Sequence, residues 1–386
     1  MMYTLRSYQK AASDSVVNAF TCGRGDNGIV ILPTGAGKSL VIADIASKID
    51  APLLVFQPSK EILEQNFAKL QSYGIIDCDV YSASVRRKQI SRITFATIGS
   101  VIRHMEDFNH FKYVLIDECH LVKPSDGMYK KFLTATKRQV IGLTATPYRL
   151  YNNINGSQLR FITRTRPRIF NKVLYYCQVS ELLAKGFLAQ LNYYDVTSLN
   201  FDNVRSNSTG ADYDDKSLVR EYQRSGFYDK LVSLTKRLLK PKSGIPRKGI
   251  LVFTRFTDEA YKLKNAIDGV EVVSADTTKA DREQILQRFK RGEIKVIANV
   301  GVLTTGFDYP ELDTVLLARP TKSLSLYYQM VGRAIRPCEG KCGWIVDMAG
   351  NYKRFGKVED LRVANLGSEK WVVMTNGKIL TNTYFQ

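Results

Sequence analysis

Short apolar runs alternate with amphipathic stretches along most of the chain. Residues 28–32, 52–56, 93–96, 113–116 and 140–143 are rich in Val, Ile, Leu and Phe, the pattern of strands buried on both faces. Between them, residues 38–47, 59–70 and 98–105 carry apolar positions at helical spacing. Strands separated by helices predict a parallel sheet with helices on both faces. The rhythm restarts with strands at 249–253, 270–273, 294–298 and 314–317 and helices at 258–267, 281–291 and 323–333. Ile285, Leu286 and Phe289 share one face of the second of these helices. The expected fold class is α/β, with two tandem units of this kind.

A different segment joins them. It holds a basic run (Arg160, Arg164, Arg166, Arg168, Lys172), a helix-like stretch at 179–186, and residues 200–215, whose Asn, Ser, Asp and Gly content reads as an exposed loop or hairpin. The expected organisation is a first domain at 1–150, a connecting segment at 151–224, a second domain at 225–350 and a short C-terminal extension at 351–386. No repeat of 20–50 residues is visible.

Charge narrows the partners. The 386 residues hold 56 Lys and Arg against 37 Asp and Glu, a formal net charge of +19. A balance this basic favours a polyanionic ligand, and phosphate backbones are the commonest. No apolar run approaches the roughly 18 residues of a membrane span, and residues 1–10 contain no secretory h-region. The six cysteines have no framework spacing, which points to a reducing compartment. Cys338 and Cys342, four apart, are half of a metal site at most and read as free thiols.

The chemistry concentrates at two places. Pro33-Thr-Gly-Ala-Gly-Lys-Ser39 joins an apolar strand to a helix, the context in which backbone N–H groups wrap phosphates. Thr34, Gly35, Ala36 and Gly37 would form the loop. Lys38 would reach the β- and γ-phosphates, and the Ser39 hydroxyl would ligate Mg²⁺. Leu32 stands where the strict pattern has its first glycine. Seventy-nine positions beyond Lys38, an apolar strand ends in Asp117 and Glu118. Asp117 suits the magnesium shell, and Glu118 can orient or deprotonate an attacking water. Together they predict an ATPase.

Asp117-Glu-Cys-His120 resembles motif II of the superfamily 2 helicases, and other segments match in order. Leu5-Arg-Ser-Tyr-Gln9 resembles the adenine-reading Q motif, with Arg6 and Gln9 at the base. Segments 57–60 and 95–99 resemble motifs Ia and Ib, which implies nucleic-acid contacts from Ser59, Lys60 and Thr97. Thr144-Ala-Thr-Pro147 is similar to motif III; His120, Thr144 and Thr146 would couple the phosphate site to the strand-binding surface. In the second unit, 252–255 resembles motif IV (Thr254, Arg255) and 303–308 motif V, with Thr305 on a phosphate and Asp308 on the ribose. Gln329-Met-Val-Gly-Arg-Ala-Ile-Arg336 is similar to motif VI. That match implies catalytic roles for Gln329, Arg333 and Arg336, the two arginines being three apart and expected on one helix face. Met330 departs from relatives that carry a basic residue there.

Within the superfamily the chain looks closest to the RadD and UvsW-like bacterial and phage DNA helicases, with few accessory segments at either end. The resemblance implies two RecA-like domains with an ATP cleft between them, ATP and Mg²⁺ as cofactors, and single-stranded or forked DNA as partner. It implies a monomer in the cytoplasm of a bacterial or phage-infected cell, acting in replication, recombination or repair. An RNA helicase, a double-strand translocase or an ATP-gated binding subunit fits the same motifs. The basic run at 160–172, the cluster Arg86, Arg87, Lys88 and Arg92, and a wedge carrying Phe201 or Tyr213 are further candidates for strand contact.

Overall fold

The computed structural model describes residues 4–22, 25–135, 138–153, 156–242, 244–304 and 309–383. The chain divides into two compact units: Met1–Tyr151 with Gln158–Glu181 and Leu361–Gln386, and Asn152–Ser157 with Leu182–Asp360.

Unit 1 is built on strands β1 (Gly28–Ile31), β2 (Leu53–Phe56), β3 (Cys78–Ser82), β4 (Arg87–Lys88), β5 (Ile93–Ala96), β6 (Tyr113–Asp117), β7 (Gln139–Thr144), the pair β8 (Tyr148–Asn153) and β9 (Gly156–Phe161), and β10 (Lys172–Tyr176). Eight of them form one sheet in the order β10-β1-β7-β6-β2-β5-β3-β4, parallel except for β4. Strands β1, β2 and β5 are buried throughout, as their unbroken apolar runs predict. Helices α1 (Ser7–Thr21), α2 (Lys38–Lys48), α3 (Lys60–Gln71), α4 (Ile98–Val101) and α5 (Met128–Ala135) intervene, and α6 (Val179–Ala184) is divided between the two units. The helix expected at 98–105 is shorter: α4 stops at Val101 and a 3-10 turn follows at Met105–Phe108. Phe56 meets Phe132 edge-on at 5.2 Å, seating α5 on the sheet.

Unit 2 carries β11 (Leu191–Asp195), β12 (Ile250–Thr254), β13 (Val270–Val273), β14 (Val296–Val300), β15 (Thr314–Leu317) and β16 (Gly343–Asp347), all parallel, in the order β11-β16-β15-β12-β14-β13. Its helices are α7 (Asp215–Ser225), α8 (Phe227–Leu239), α9 (Thr257–Ala266), α10 (Lys279–Lys290), α11 (Leu324–Val331) and α12 (Asn351–Phe355). Tyr222 and Phe227 stack at 4.2 Å in a core shared with Ile250, Val252, Leu263 and Val296. The two tandem α/β sheets with flanking helices are the RecA-like arrangement that was expected.

The segment expected to connect the units is shared between them. Strand β10 closes one edge of the first sheet and β11 one edge of the second. Residues 200–215 are not a free wedge: Tyr213 is buried and stacks on Phe201 at 5.0 Å. The stretch expected as a C-terminal extension is also divided. Helix α12 lies in unit 2, while β17 (Arg362–Asn365), β18 (Trp371–Thr375) and β19 (Lys378–Ile379) form an antiparallel sheet grouped with unit 1. Among the described residues no helix is long and apolar enough to cross a membrane.

Candidate functional site

In unit 1 the chemistry gathers at the C-terminal ends of the central strands, where open parallel sheets place their ligands. In-register pairing sets Ile31 beside Thr144 and Asp117 beside Leu143, so β1, β7 and β6 end at one level. Leu32 continues β1, its N–H donating to the Thr144 carbonyl at 3.0 Å. A buried residue that extends the strand fills the position where a first glycine was expected. The turn begins afterwards, with Gly35 and Gly37 at φ of +84° and +80°. A Cβ on Gly37 would lie 2.5 Å from Gln9 Nε2.

That close approach comes from α1. Tyr8 Oη and Gln9 Nε2 both donate to the Ala36 carbonyl at 2.9 Å, and Gln9 Oε1 accepts the Arg6 N–H at 2.9 Å. The segment expected to read a base is thus built against the phosphate loop. Tyr8 was not singled out from the sequence; its position one turn-residue before Gln9 was the available signal.

Lys38 Nζ meets Glu118 Oε1 at 2.9 Å, and the other Glu118 oxygen lies 3.3 Å from His120 Nδ1. His120 Nδ1 also contacts Thr144 Oγ1 at 2.9 Å, which accepts the Thr146 N–H at 3.0 Å. Glu118 itself has φ of +49°, a left-handed conformation that is costly for a residue with a Cβ and characteristic of functional turns. Asp117 accepts the Glu118 N–H at 2.9 Å and the Asn66 amide at 3.1 Å. Ser39 Oγ donates to Asn66 Oδ1 at 2.5 Å. One connected network therefore holds Lys38, Ser39, Asp117, Glu118, His120, Thr144 and Thr146.

Burial, reinforced by the neighbouring Glu118 carboxylate, pushes Asp117 up. Burial acts the same way on Glu118, but Lys38 and His120 outweigh it and hold that carboxylate down. The two carboxyls are thus shifted in opposite directions. Ser39 and Asp117 offer hard oxygen donors, held near each other by one amide, and this donor set fits Mg²⁺.

Asn66 was missed in the sequence. It occupies the buried stripe Leu63-Asn66-Phe67-Leu70 of α3, and an amide at an apolar position of a helix was the signal. The expected strand contacts lie on the same edge of the sheet. Ser59 caps α3, its Oγ accepting from Ile62 N at 3.3 Å, and Lys60 lies 3.9 Å from Glu64. Thr97 Oγ1 joins the Ser82 and Ser100 hydroxyls at 3.1 and 3.0 Å.

Unit 2 corrects several expectations. Thr254 is buried, its hydroxyl donating to the Asn299 carbonyl at 3.3 Å. Arg255 is turned onto Asp212 at 2.6 Å and Asp215 at 2.8 Å rather than outward to a strand, because 212–215 supplies two carboxylates beside it. Helix α11 ends at Val331, so Gln329 is helical but Arg333 and Arg336 do not share a helix face with each other. Arg333 sits in a tight turn, its N–H on the Met330 carbonyl, and Pro337 disfavours helix at Arg336. Met330, the departure from relatives that carry a basic residue there, is buried core. Thr305 and Asp308 lie outside the described residues. Cys338 and Cys342 form no disulfide.

The family described as Type III restriction enzyme, res subunit, matches residues 2–149, and Helicase conserved C-terminal domain matches residues 230–338. IRC3 of Saccharomyces cerevisiae, whose name places it among ATP-dependent helicases, is 27% identical over 364 residues, covering 86% of this chain and 49% of IRC3. The DNA 3'-5' translocase XPB2 of Sulfurisphaera tokodaii is 26% identical, covering 86% of this chain and 78% of its own. The chain thus spans about half the length of the first of these relatives. The structure of the ATP-dependent Type ISP restriction-modification enzyme LlaBIII bound to DNA shares the fold, with a TM-score of 0.64 and 17% identity over 89% of this chain and 28% of that one. The chain carries the domain architecture of a superfamily 2, DEAD/DEAH-like helicase, which is the architecture of an ATP-hydrolysing enzyme.

Proposed function

We propose that the chain is an ATP-driven DNA translocase or helicase that works on forked or branched DNA in replication, recombination or repair. The observation that carries this reading is the single network linking Lys38, Glu118, His120 and Thr144. It joins a phosphate-binding loop to a candidate base and to the segment that would signal to nucleic acid.

ATP would lie on the backbone N–H groups of Gly35–Ser39, at the positive end of α2. Ser39 and Asp117 would hold Mg²⁺, which neutralises phosphate charge when bound. Lys38 is paired with Glu118 at 2.9 Å; a γ-phosphate competing for Lys38 would release the carboxylate to accept a proton from water. Gln329, Arg333 and Arg336 would complete the site from the second domain. An arginine supplied that way accelerates hydrolysis by about 10³–10⁵-fold and makes chemistry conditional on domain closure. Arg6 and Gln9 would read the adenine and Asp308 the ribose. Ser59, Lys60, Thr97 and Thr305 would hold the strand backbone, giving affinity that falls steeply with salt.

DNA, in place of RNA, rests on the names of the relatives and on the likeness to RadD and UvsW-like helicases. With it goes a monomer in the cytoplasm of a bacterial or phage-infected cell. The test is ATP hydrolysis with no nucleic acid, single-stranded DNA, forked DNA and matched RNA, beside Glu118→Gln. Strong stimulation by DNA that disappears in the variant supports the proposal. Selective stimulation by RNA reassigns the substrate, and no stimulation by any of them sinks the autonomous motor.

A further inference from the structure

Asn66 is the least expected member of the network. It lies 4% exposed among Leu63, Phe67 and Leu70, where an apolar side chain would pack without any polar cost. Its three polar bonds explain its presence. The amide oxygen accepts from Ser39 Oγ at 2.5 Å, and the amide nitrogen donates to Asp117 Oδ2 at 3.1 Å and to Gln57 Oε1 at 2.9 Å. The two carboxamide protons each have an oxygen, so the orientation of the amide is set by its partners.

We infer that Asn66 is a positioning residue that orients the two magnesium-side groups, Ser39 and Asp117, and ties them to the helix that begins at the candidate strand contacts Ser59 and Lys60. The inference rests on the proposed reading of the phosphate site. A serine hydroxyl that gives its proton to Asn66 keeps its lone pairs for a cation. An Asp117 oxygen held by the amide nitrogen cannot swing away. In this chain the hydroxyl and the carboxylate are joined through a third side chain. That side chain sits on α3, whose first residues are Lys60 and its cap Ser59. A displacement of α3 at its N-terminus moves Asn66 as part of the same rigid helix. Gln57, at the end of β2, is the second tether between that end of the helix and the amide.

Groups that orient metal ligands typically cost about 10–100-fold in metal affinity or activity when removed. Asn66→Leu keeps the branched shape and deletes all three bonds; Asn66→Ala is the second variant, in case the bulkier leucine packs badly. A fluorescent ATP analogue is titrated into the wild-type chain and both variants, once in EDTA and once across a Mg²⁺ series. The expected result is metal-free binding within about 2-fold of wild type, with the Mg²⁺ concentration for half-maximal enhancement raised about 10–100-fold. DNA-stimulated kcat should fall while KM for ATP in saturating Mg²⁺ changes little. If metal-free and metal-dependent binding weaken together, Asn66 is merely structural; if neither moves, it positions nothing. Both results overturn the inference. Failure of the underlying reading is separable, because then wild type itself shows no Mg²⁺-dependent nucleotide binding.

Discussion

Gly142 offers a demanding test, because it lies behind the acidic turn and touches no expected ligand. It sits in β7 with Ile29 of β1 on one side and Ile116 of β6 on the other. A Cβ there would be 2.5 Å from both Cβ and Sγ of Cys119 and 3.0 Å from the Phe170 ring. Comfortable carbon contacts are about 3.5–4.0 Å, so roughly 1 Å of movement is needed. Strand β7 is held on both sides, and Cys119 is the part that must yield. Cys119 directly follows Glu118 and precedes His120, so the shift passes into the catalytic turn. Gly142→Ala should cost about 1–3 kcal/mol by overpacking. For a unit of this size that lowers Tm by about 2–12 °C, at about 2–4 °C per kcal/mol. A misplacement near 1 Å at the reacting groups costs up to about 100-fold in rate. The assays are a thermal melt, fluorescent nucleotide binding and DNA-stimulated ATP hydrolysis. Cys119→Ala in the same chain removes the Sγ collision but leaves the Cβ collision, so it should restore only part of the loss. A Gly142→Ala protein that melts within about 1 °C of wild type and hydrolyses ATP normally would refute this reasoning, since overpacking of this severity cannot be silent.

Other consequences are open to simpler measurements. Glu259 is buried in α9, its Oε2 accepts the Arg255 N–H at 2.9 Å, and burial pushes its carboxyl up to about 8. Its folded pKa exceeds the unfolded value, so the stability it permits is full below about 4.5 and declines by up to about 1.4 kcal/mol per pH unit until about 8. Glu259→Gln should flatten that decline, as urea melts at pH 5, 7 and 8.5 would show; an unchanged slope would place the titration elsewhere. Arg255→Met should destabilise unit 2 by about 1–3 kcal/mol through loss of the bonds to Asp212 and Asp215, with DNA affinity nearly unaltered. A large drop in DNA affinity without loss of stability would instead return Arg255 to the strand surface.

What could be read from the sequence follows the range of the interactions involved. The phosphate loop and the Asp117-Glu118 turn are set by strand, turn and helix within a dozen residues, and their chemistry is local. Strand positions were legible because parallel strands buried on both faces must be apolar throughout. Motif VI was half legible: Gln329 is helical, but the helix ends two residues before Arg333, since apolar periodicity does not reveal a turn made by Gly332 and enforced near Pro337. Arg255 reads as a free cation until the fold brings Asp212 and Asp215 to it from 40 or more positions away. Asn66 needed partners at 39, 57 and 117, none of them adjacent in sequence. The membership of β17–β19 in unit 1 depends on pairing across still longer separations.

Those last strands bear on the order in which the chain can fold. Gln178 exchanges hydrogen bonds with Val363, 185 positions away, and Phe161 N–H donates to Asn382 across 221 positions. Tyr176 meets the Trp371 ring at 5.2 Å. Unit 2 draws its sheet from one uninterrupted stretch, 182–360, whereas the surroundings of β10 wait for residues beyond 360. Closing so long a loop adds little thermodynamic cost, about 0.6 kcal/mol per doubling of length, but non-local pairing is slow. During synthesis from the N-terminus, the second unit can therefore be complete before the first. The seating of Val363 and Trp371 is the closing event of unit 1, and a released chain ending near residue 360 would hold a finished second sheet and a first one with its β10 flank still bare.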